Sequence, residues 1–264
     1  MNETQISNET QKWPDRLWLV RHGESAGNVA RDAAEAAGHP VIDIPTRDAD
    51  VPLSALGERQ ARALGEWFAR LPPEETPTVV RASPYVRARQ TASIVLEAAG
   101  LFRDEETLTV DERLREREFG ILDRLTHAGI VEKYPEQAEL RRLLGKFYHR
   151  PPGGENWCDV ILRLRSLVDT LTRDYRGERV LLVCHSVVIL CFRYLLERMT
   201  EEGILEVDRT NEVANCSVTS YAFDAARGRR GKLVLREFNF SAPLEEAGEK
   251  VTSEPDARVA PKQP

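Results

Sequence analysis

The sequence predicts an α/β fold, a three-layer α/β/α sandwich around a mostly parallel central sheet. Short β-branched or aliphatic segments alternate with longer segments of helical periodicity along most of the chain. The clearest strand segments are apolar at nearly every position, which is typical of strands covered by helices on both faces. No internal repeat and no linker-like break interrupts residues 16–240, so we predict a single domain over that range.

Six segments have the length and composition of strands. Residues 17–20 and 179–184 are the most apolar and predict buried central strands. Residues 107–110 alternate between apolar and polar side chains, which favours the edge of a sheet. In chain order the predicted strands cover residues 17–20, 78–80, 107–110, 179–184, 216–223 and 233–238.

Four longer segments carry helix signals at their ends as well as an apolar face. Ser54 is a suitable N-cap, and Pro72 and Pro73 end the pattern that follows it. Pro84 suits a first helical turn, and Gly100 suits the position just beyond a helix. The predicted helices cover residues 54–71, 84–99, 156–175 and 187–199, and the last is apolar on nearly all sides.

Composition is that of an ordinary globular protein and disfavours two classes of partner. Of 264 residues, 41% are hydrophobic and 30% are charged, and the formal net charge is −6. A net negative charge disfavours binding to nucleic acid and to anionic membrane surfaces. No segment approaches the ~20 apolar residues of a membrane span. Residues 1–15 and 241–264 offer little to bury, so we expect both to be disordered tails.

Cysteine usage and the first residues of the chain predict a cytoplasmic protein. The four cysteines contain no CxxC pair, and the N-terminus lacks the apolar segment of a signal peptide. The cysteines form no zinc pattern and the histidines lack metal-ligand spacing, so we expect neither a metal nor another cofactor. The oligomeric state stays open at this point.

Two of the five histidines directly follow predicted buried strands. His22 stands between Arg21 and Gly23, and His185 follows residues 179–184. In open α/β sheets, ligands bind beyond the carboxyl ends of the strands. A guanidinium group matches phosphate oxygens, a glycine lets the backbone approach a ligand closely, and imidazole can act as a nucleophile. The pattern therefore indicates a site for phosphoryl chemistry.

Residues 19–28, LVRHGESAGN, resemble the Arg-His-Gly motif of the histidine phosphatase superfamily, which includes cofactor-dependent phosphoglycerate mutases and fructose-2,6-bisphosphatases. Five further segments resemble other motifs of that family and follow in the family's order. They lie at residues 53–61, 83–92, 114–120, 152–156 and 183–185. A single RHG occurs often by chance, whereas six ordered motifs do not. The resemblance implies the phosphoglycerate mutase-like form of the α/β/α sandwich.

The resemblance also implies three catalytic residues. His22 would be the nucleophile that becomes phosphorylated, and His185 would add positive charge or hydrogen bonds beside it. Glu116 would donate a proton to the leaving oxygen and afterwards activate water. Glu118, in the same Arg-Glu-Arg-Glu segment, is the competing carboxylate.

Four residues would bind the substrate phosphate by the same resemblance. Arg21 and Arg87 would hold the phosphoryl oxygens, and Asn28 matches a position in the phosphate pocket. Ser186 replaces the Gly or Gln that many relatives place after the second histidine, and it would either donate a hydrogen bond or be neutral. In-line phosphoryl transfer needs positive charge around the equatorial oxygens. Two arginines and a histidine supply that charge without Mg²⁺.

Two long excursions separate the motifs, at residues 29–51 and 121–150. Both are expected to leave the sheet near its catalytic end and to form the substrate pocket. The basic and aromatic side chains of residues 146–150, KFYHR, would suit a phosphorylated sugar or acid. His149 is expected at the surface or at the pocket rim, and contact with the substrate is the less favoured alternative for it. The alternative is a helical cap that only closes the fold.

Three functions follow from these observations. The first is a metal-independent phosphomonoester hydrolase that acts through a phosphohistidine on a small phosphorylated metabolite, of the sugar phosphate or phosphoglycerate type. The second is a phosphoglycerate mutase, which the short path from Glu116 to the loop at residues 153–155 disfavours. The third is a non-catalytic member that binds a phospho-ligand or a protein, which the complete set of matched chemical positions disfavours. A sugar bisphosphate substrate is not favoured, because Gly153 stands where fructose-2,6-bisphosphatases carry lysine.

Overall fold

One mixed sheet organises the computed structural model, which describes residues 11–102 and 107–253. Its strands are β1 (Arg16–Arg21), β2 (Val79–Ala82), β3 (Leu108–Val110), β4 (Arg179–Cys184), β5 (Val218–Asp224) and β6 (Lys232–Phe240). The spatial order is β3-β2-β4-β1-β5-β6. The pairs β1–β4, β4–β2 and β2–β3 are parallel, whereas β5 runs antiparallel to both β1 and β6. The prediction of a mostly parallel sheet is confirmed.

Helices cover both faces of this sheet. Within the described residues they are α1 (Ala26–Ala36), α2 (Ala55–Ala69), α3 (Val86–Ala98), α4 (His127–Lys133), α5 (Pro135–Tyr148), α6 (Trp157–Asp174), α7 (Ser186–Glu197), α8 (Glu201–Thr210) and α9 (Ala242–Glu246). Helices α2 and α3 pack on one face, and α6 and α7 pack on the other. None of the described helices is long and apolar enough to cross a membrane.

The alternation of side chains along β1 shows why the sheet needs two helical layers. Leu17 and Leu19 belong to the hydrophobic cluster beneath α6 and α7, while Trp18 and Val20 belong to the cluster beneath α2 and α3. Successive residues of a strand point to opposite faces. Because all four side chains are buried, neither face of β1 can be left in water, and the three-layer arrangement follows.

The predicted strands and helices are all present, with small shifts at their ends. Ser54 caps α2 as expected, since its Oγ accepts a hydrogen bond from the amide of Gly57 at 3.0 Å. Helix α8 is not among the helices predicted from the sequence; its Ile204 is fully buried, and Leu205 and Val207 pack against the hydrophobic core.

Both ends of the described chain pack against the domain, so the predicted disordered tails are wrong at residues 11–15 and 241–253. Trp13 packs against the hydrophobic core, and its carbonyl accepts a hydrogen bond from Gly177 at 3.1 Å. Leu244 of α9 is fully buried with α2 and α3. Because the average composition of these two segments is polar, it does not reveal a single apolar side chain that packs against the core. The rest of the predicted tails, residues 1–10 and 254–264, lies outside the described residues.

We expect Leu244→Ala to lower the free energy of unfolding by about 2–4 kcal/mol, because it removes a fully buried side chain and leaves a cavity beneath α2. The matched control is Leu140→Ala on α5, where the side chain is 41% exposed and the expected change is below about 0.5 kcal/mol. Urea denaturation measures both. Equal, small effects would show that the C-terminal segment does not contribute to the core.

Candidate active site

The two histidines meet because β1 and β4 are adjacent and parallel. In this pairing Arg21 lies opposite Cys184, and the next residue on each strand is a histidine. The amide of His22 donates to the carbonyl of Cys184 at 3.0 Å. The ring centroids of His22 and His185 lie 5.1 Å apart. The carboxyl ends of two central strands therefore bring both histidines into one site.

His22 is held as a neutral imidazole with a defined tautomer. Its Nδ1 lies 2.8 Å from the Gly23 carbonyl, which can only accept, so the ring proton is on Nδ1. Its Nε2 accepts a hydrogen bond from Nε of Arg87 at 3.2 Å. Burial, and then the charges of Arg87 and Arg21, hold the pKa of His22 well below its usual value. The unprotonated Nε2 is the state that a nucleophile requires.

His185 is fully buried between Ser83 and Glu116. Its Nε2 lies 2.8 Å from Ser83 Oγ, and its Nδ1 lies 3.3 Å from Oε2 of Glu116. The second contact is not aligned as a hydrogen bond, so within the described structure this buried Nδ1 has no hydrogen-bond partner. Burial, followed by the charge of Arg87, lowers the pKa of His185 well below its usual value. The Nδ1 atom is thus available to an oxygen that enters the site.

Both predicted arginines line the same pocket as His22 and are buried. Arg21 donates through Nη1 to the carbonyl of Val213. Arg87 lies against the Tyr85 ring, with its guanidinium carbon 4.8 Å from the ring centroid. Its terminal nitrogens contact Asp48, at 3.0 Å from Oδ1 and 3.1 Å from Oδ2. Two guanidinium groups therefore lie in the same pocket as His22, and one of them already binds a carboxylate.

Asn28 and Ser186 line the pocket from the first turns of α1 and α7. The Asn28 Oδ1 accepts hydrogen bonds at 2.8 Å from the amide and from the hydroxyl of Ser25, which is the N-cap of α1. Ser186 directly follows His185, which is the N-cap of α7. The N-terminal turns of helices favour anions through exposed N–H groups and the helix dipole. Two such turns face the pocket.

The two excursions form the pocket walls only in part. Residues 29–51 contribute six lining residues, five of them between positions 42 and 51, whereas residues 121–150 contribute two. These lining residues are Arg31, Ile42, Ile44, Thr46, Asp48, Val51, Asp123 and Arg124.

Residues 146–150 do not line the pocket, so the expectation that their side chains suit the substrate is wrong. Lys146 pairs with Asp208 on α8 at 2.6 Å, and Phe147 is buried in the hydrophobic core. His149 is 2% exposed, and its Nε2 lies 3.3 Å from Oε1 of Gln137. These side chains close the fold rather than the pocket, so α4 and α5 form the helical cap that was the alternative prediction.

The structure distinguishes the two carboxylates of the acid motif by their surroundings. Glu116 lines the pocket and lies beside His185. Glu118 instead accepts a hydrogen bond from the hydroxyl of Tyr85 at 2.9 Å. This placement favours Glu116 as the proton donor.

A network around Glu155 holds the loop that carries Glu116. Arg163 of α6 donates to the Glu116 carbonyl at 3.3 Å and to both oxygens of Glu155, at 3.0 and 3.1 Å. Arg115 pairs with Glu155 at 2.6 Å, and the amide of Glu118 donates to the same carboxylate at 3.2 Å. Hydrogen bonds thus fix the acid loop on both sides of Glu116.

Gly23 serves a different purpose from the one predicted. A Cβ atom at Gly23 would lie 2.6 Å from the carbonyl oxygen of Gly57, and a Cβ at Gly57 would lie 2.0 Å from the Glu24 carbonyl. The two glycines therefore allow the loop after β1 to lie directly on the first turn of α2. The prediction that Gly23 makes room for a ligand is corrected, because the space belongs to a neighbouring backbone.

Hydrogen bonds that involve the C-terminal segment also hold the loop that carries His22. Asn215 donates through Nδ2 to the His22 carbonyl at 3.0 Å, and the Thr252 hydroxyl donates to Asn215 Oδ1 at 3.0 Å. Gln60 donates to Thr252 Oγ1 at 2.9 Å and accepts from the Glu24 amide at 2.8 Å. These hydrogen bonds run continuously from the His22 carbonyl to the Glu24 amide.

Sequence reasoning missed three residues that contact the site. Ser83 and Tyr85 lie within a matched motif, at residues 83–92, so their proximity to Arg87 along the chain was an available signal. Asp48 carried no such signal, because it is one of several aspartates in an excursion of mixed composition. Its contact with Arg87 depends on tertiary structure alone.

Three groups in the site also have the chemistry of metal ligands. His22, Glu116 and His185 each offer one atom, and these atoms lie within 4.8 Å of one another. However, the guanidinium charges of Arg21 and Arg87, which contribute to the low pKa of His22, also oppose a further cation there. We interpret the three residues as part of a phosphate-binding site rather than as a metal site.

Comparison with known proteins identifies the class. The model of the histidine phosphatase superfamily (branch 1) matches residues 17–234. The chain therefore belongs to the histidine phosphatase superfamily, as its motifs predict.

Relatives within this class carry different names. A phosphoglycerate mutase-like protein of Arabidopsis thaliana is 30% identical over 229 residues, which cover 79% of this chain and 74% of that protein. A 6-phosphofructo-2-kinase/fructose-2,6-bisphosphatase of Caenorhabditis elegans is 31% identical over 224 residues, which cover 81% of this chain and only 43% of that protein. This chain therefore spans less than half the length of that relative.

Solved structures confirm the fold. A mycobacterial structure named hydrolase 1 is 28% identical, with a TM-score of 0.64, and the match covers 85% of this chain and 98% of that one. A mycobacterial glucosyl-3-phosphoglycerate phosphatase is 26% identical, with a TM-score of 0.62, and the match covers 86% of this chain and all of that one. These similarities place phosphatases among its structural relatives.

A histidine that is buried in its neutral form predicts a loss of folding stability at low pH. Burial is the largest cause that lowers the pKa of His149, to about 4, and Arg141 and Arg117 lower it further. The unfolded chain takes up a proton near pH 6.5, whereas the folded chain does not until about pH 4. The contribution of His149 to stability is therefore present above pH 6.5 and is lost as the pH falls toward 4, at up to about 1.4 kcal/mol per pH unit.

We expect His149→Gln to lose less unfolding free energy than the wild type between pH 7 and pH 5, as measured by urea denaturation at each pH. The control is His39→Gln, which replaces an exposed histidine and should follow the wild-type pH dependence. A His149→Gln curve parallel to the wild type would contradict the neutral state assigned to His149.

Proposed function

We propose that this protein hydrolyses phosphomonoesters of small metabolites through a phosphohistidine at His22, without a metal ion. The observation that carries the proposal is a neutral His22, with its Nε2 unprotonated, in a pocket that also contains Arg21, Arg87 and Glu116. Membership of the superfamily and similarity to phosphatase structures support it.

In the first step, Nε2 of His22 bonds to phosphorus while the bond from phosphorus to the leaving oxygen breaks. Glu116 gives its proton to that oxygen, so the product leaves as a neutral alcohol. Arg21 and Arg87 contact the equatorial oxygens, where they stabilise the charge of the transition state. The Nδ1–H bond to the Gly23 carbonyl then stabilises the positive charge of the phosphorylated ring.

In the second step, the Glu116 carboxylate removes a proton from water. The water oxygen bonds to phosphorus while the bond from phosphorus to Nε2 breaks. Inorganic phosphate leaves, His22 returns to its neutral tautomer, and Glu116 is again protonated. His185, whose Nδ1 has no aligned partner among the described residues, would contact phosphoryl oxygens in both steps, which its position beside Glu116 supports.

The pocket walls favour a polar metabolite. Arg31, Thr46, Asp123 and Arg124 offer charges of both signs and a hydroxyl group beyond the phosphate site. Such a lining suits hydroxyl-rich or acidic leaving groups of the sugar phosphate or phosphoglycerate type. Relatives named as phosphoglycerate mutases make isomerisation the alternative outcome of the first experiment.

We expect the wild type to release phosphate from 4-nitrophenyl phosphate and from some members of a sugar phosphate and phosphoglycerate panel, equally with and without EDTA. His22→Ala should lose at least about 10³-fold in kcat, because it removes the nucleophile. His39→Ala, at an exposed position, is the matched control. Activity that survives in His22→Ala, or that EDTA removes, would contradict the mechanism. Isomerisation of 3-phosphoglycerate without phosphate release would favour a mutase.

We expect Glu116→Gln to lower kcat by about 10²–10⁴-fold on alkyl phosphates and by less on 4-nitrophenyl phosphate. The nitrophenolate is a good leaving group that needs little proton donation. Glu118→Gln is the control, since Glu118 contacts Tyr85 rather than His185, and its activity should stay within a few-fold of the wild type. Equal losses of Glu116→Gln on both substrate types would show that Glu116 is not the proton donor.

A further inference from the structure

The carboxylate of Asp48 occupies the terminal nitrogens of Arg87. Arg87 Nη1 donates to Oδ1 of Asp48 at 3.0 Å and to its main-chain carbonyl at 2.6 Å, and Nη2 donates to Oδ2 at 3.1 Å. The Nε–H of Arg87 donates to Nε2 of His22 at 3.2 Å, so these contacts use four of the five N–H groups of the guanidinium. A two-pronged arginine–carboxylate contact has the same geometry that arginine uses for a phosphoryl group. Asp48 thus takes the donors that the proposed reaction requires.

The setting of Asp48 indicates a contact that can be exchanged. The Arg87 side chain is 6% exposed, whereas the Asp48 side chain is 40% exposed. Asp48 begins a short 3₁₀ turn, Asp48–Asp50, at the mouth of the pocket. Other hydrogen bonds hold the part of the pocket wall that contains Ile42 and Ile44. The Ile42 amide donates to the Arg124 carbonyl at 2.9 Å, and Arg124 donates to the Ile44 carbonyl at 3.0 Å. The pocket wall therefore has anchors that do not depend on the Asp48 carboxylate.

Asp48 also acts on other anions in the pocket. Burial, and then the negative charge of Asp48, raises the pKa of Asp123, which lines the same pocket. A phosphoryl dianion placed between Arg87 and His22 would meet the same negative charge at shorter range. Two anions that share one guanidinium in a partly buried pocket repel each other, so they cannot both keep the two-pronged contact.

We propose that Asp48 is a built-in competitor for the phosphoryl group, and that substrate binding exchanges its carboxylate for phosphoryl oxygens on Arg87. The inference rests on the proposed function, because it assigns Arg87 to the substrate phosphate. In the empty site Asp48 supplies the countercharge that buried Arg87 needs. An anion that binds Arg87 no more tightly than the Asp48 carboxylate does cannot displace that carboxylate. Asp48 therefore sets the minimum affinity for Arg87 that a ligand must have in order to bind in the site.

The exchange affects binding and leaves the chemical step unchanged. The free-energy cost of displacing the Asp48 carboxylate is the same for the bound substrate and for the transition state, because that carboxylate has left Arg87 in both. Removing the competitor should therefore lower KM and leave kcat unchanged.

The test is the binding of inorganic phosphate to the full-length protein by isothermal titration calorimetry, which needs no turnover. We expect Asp48→Asn to bind phosphate about three- to tenfold more tightly than the wild type. Asp50→Asn is the matched control, because Asp50 lies on the same turn but pairs with exposed Arg47, at 2.8 Å, rather than with Arg87. Its phosphate affinity should equal that of the wild type. Asp48→Ser is a second variant, in case the asparagine side chain keeps hydrogen bonds to Arg87.

Phosphate binding in the Asp48 variants that is equal to or weaker than in the wild type would overturn the proposal and would leave Asp48 as a residue that only positions Arg87. Kinetics on 4-nitrophenyl phosphate form the second arm, in which Asp48→Asn should lower KM about three- to tenfold with kcat within about twofold. Tighter phosphate binding without hydrolysis of any ester would support the competitor and contradict the proposed function. Hydrolysis by all variants with weaker binding in Asp48→Asn would contradict only the competitor.

Discussion

The site depends on the parallel pairing of β1 with β4. Because these central strands run side by side in register, the residues that follow them occupy neighbouring positions at one edge of the sheet. The hydrogen bond from the His22 amide to the Cys184 carbonyl extends the pairing one residue beyond β1. The two imidazoles are thereby placed by the sheet itself, and the surrounding loops only have to bring charges to them.

Burial of these charges imposes the second constraint. Arg21 and Arg87 are both almost completely inaccessible, and a buried guanidinium without partners is very costly. A main-chain carbonyl of Val213 contacts Arg21, and Asp48 contacts Arg87. The same two cations, together with burial, keep His22 neutral. Both guanidinium groups are therefore held in place by groups of the protein, and Asp48 neutralises the charge of one of them.

Periodicity and motifs predict most of the fold and the residues that meet at its centre. The sequence predicts β4 because both faces of this strand are buried and its residues are therefore apolar. It predicts His22 and His185 as site residues because each follows such a strand. The pattern does not show Leu244, a single apolar anchor in a polar segment. Nor does it show Asp48, whose role arises only when the chain places it beside Arg87. Contacts between distant polar side chains leave no periodic trace in a sequence.

The hydrogen bonds behind His22 have a consequence for how the chain is made. The loop that carries His22 is separated in sequence by about 200 residues from Asn215 and Thr252, whose hydrogen bonds hold it. Its strand also pairs with β4 and β5, which are synthesised much later. During translation the loop that carries His22 therefore lacks these contacts until residues 215 and 252 have been synthesised. Such dependence on contacts between distant residues favours slow, late completion of the site.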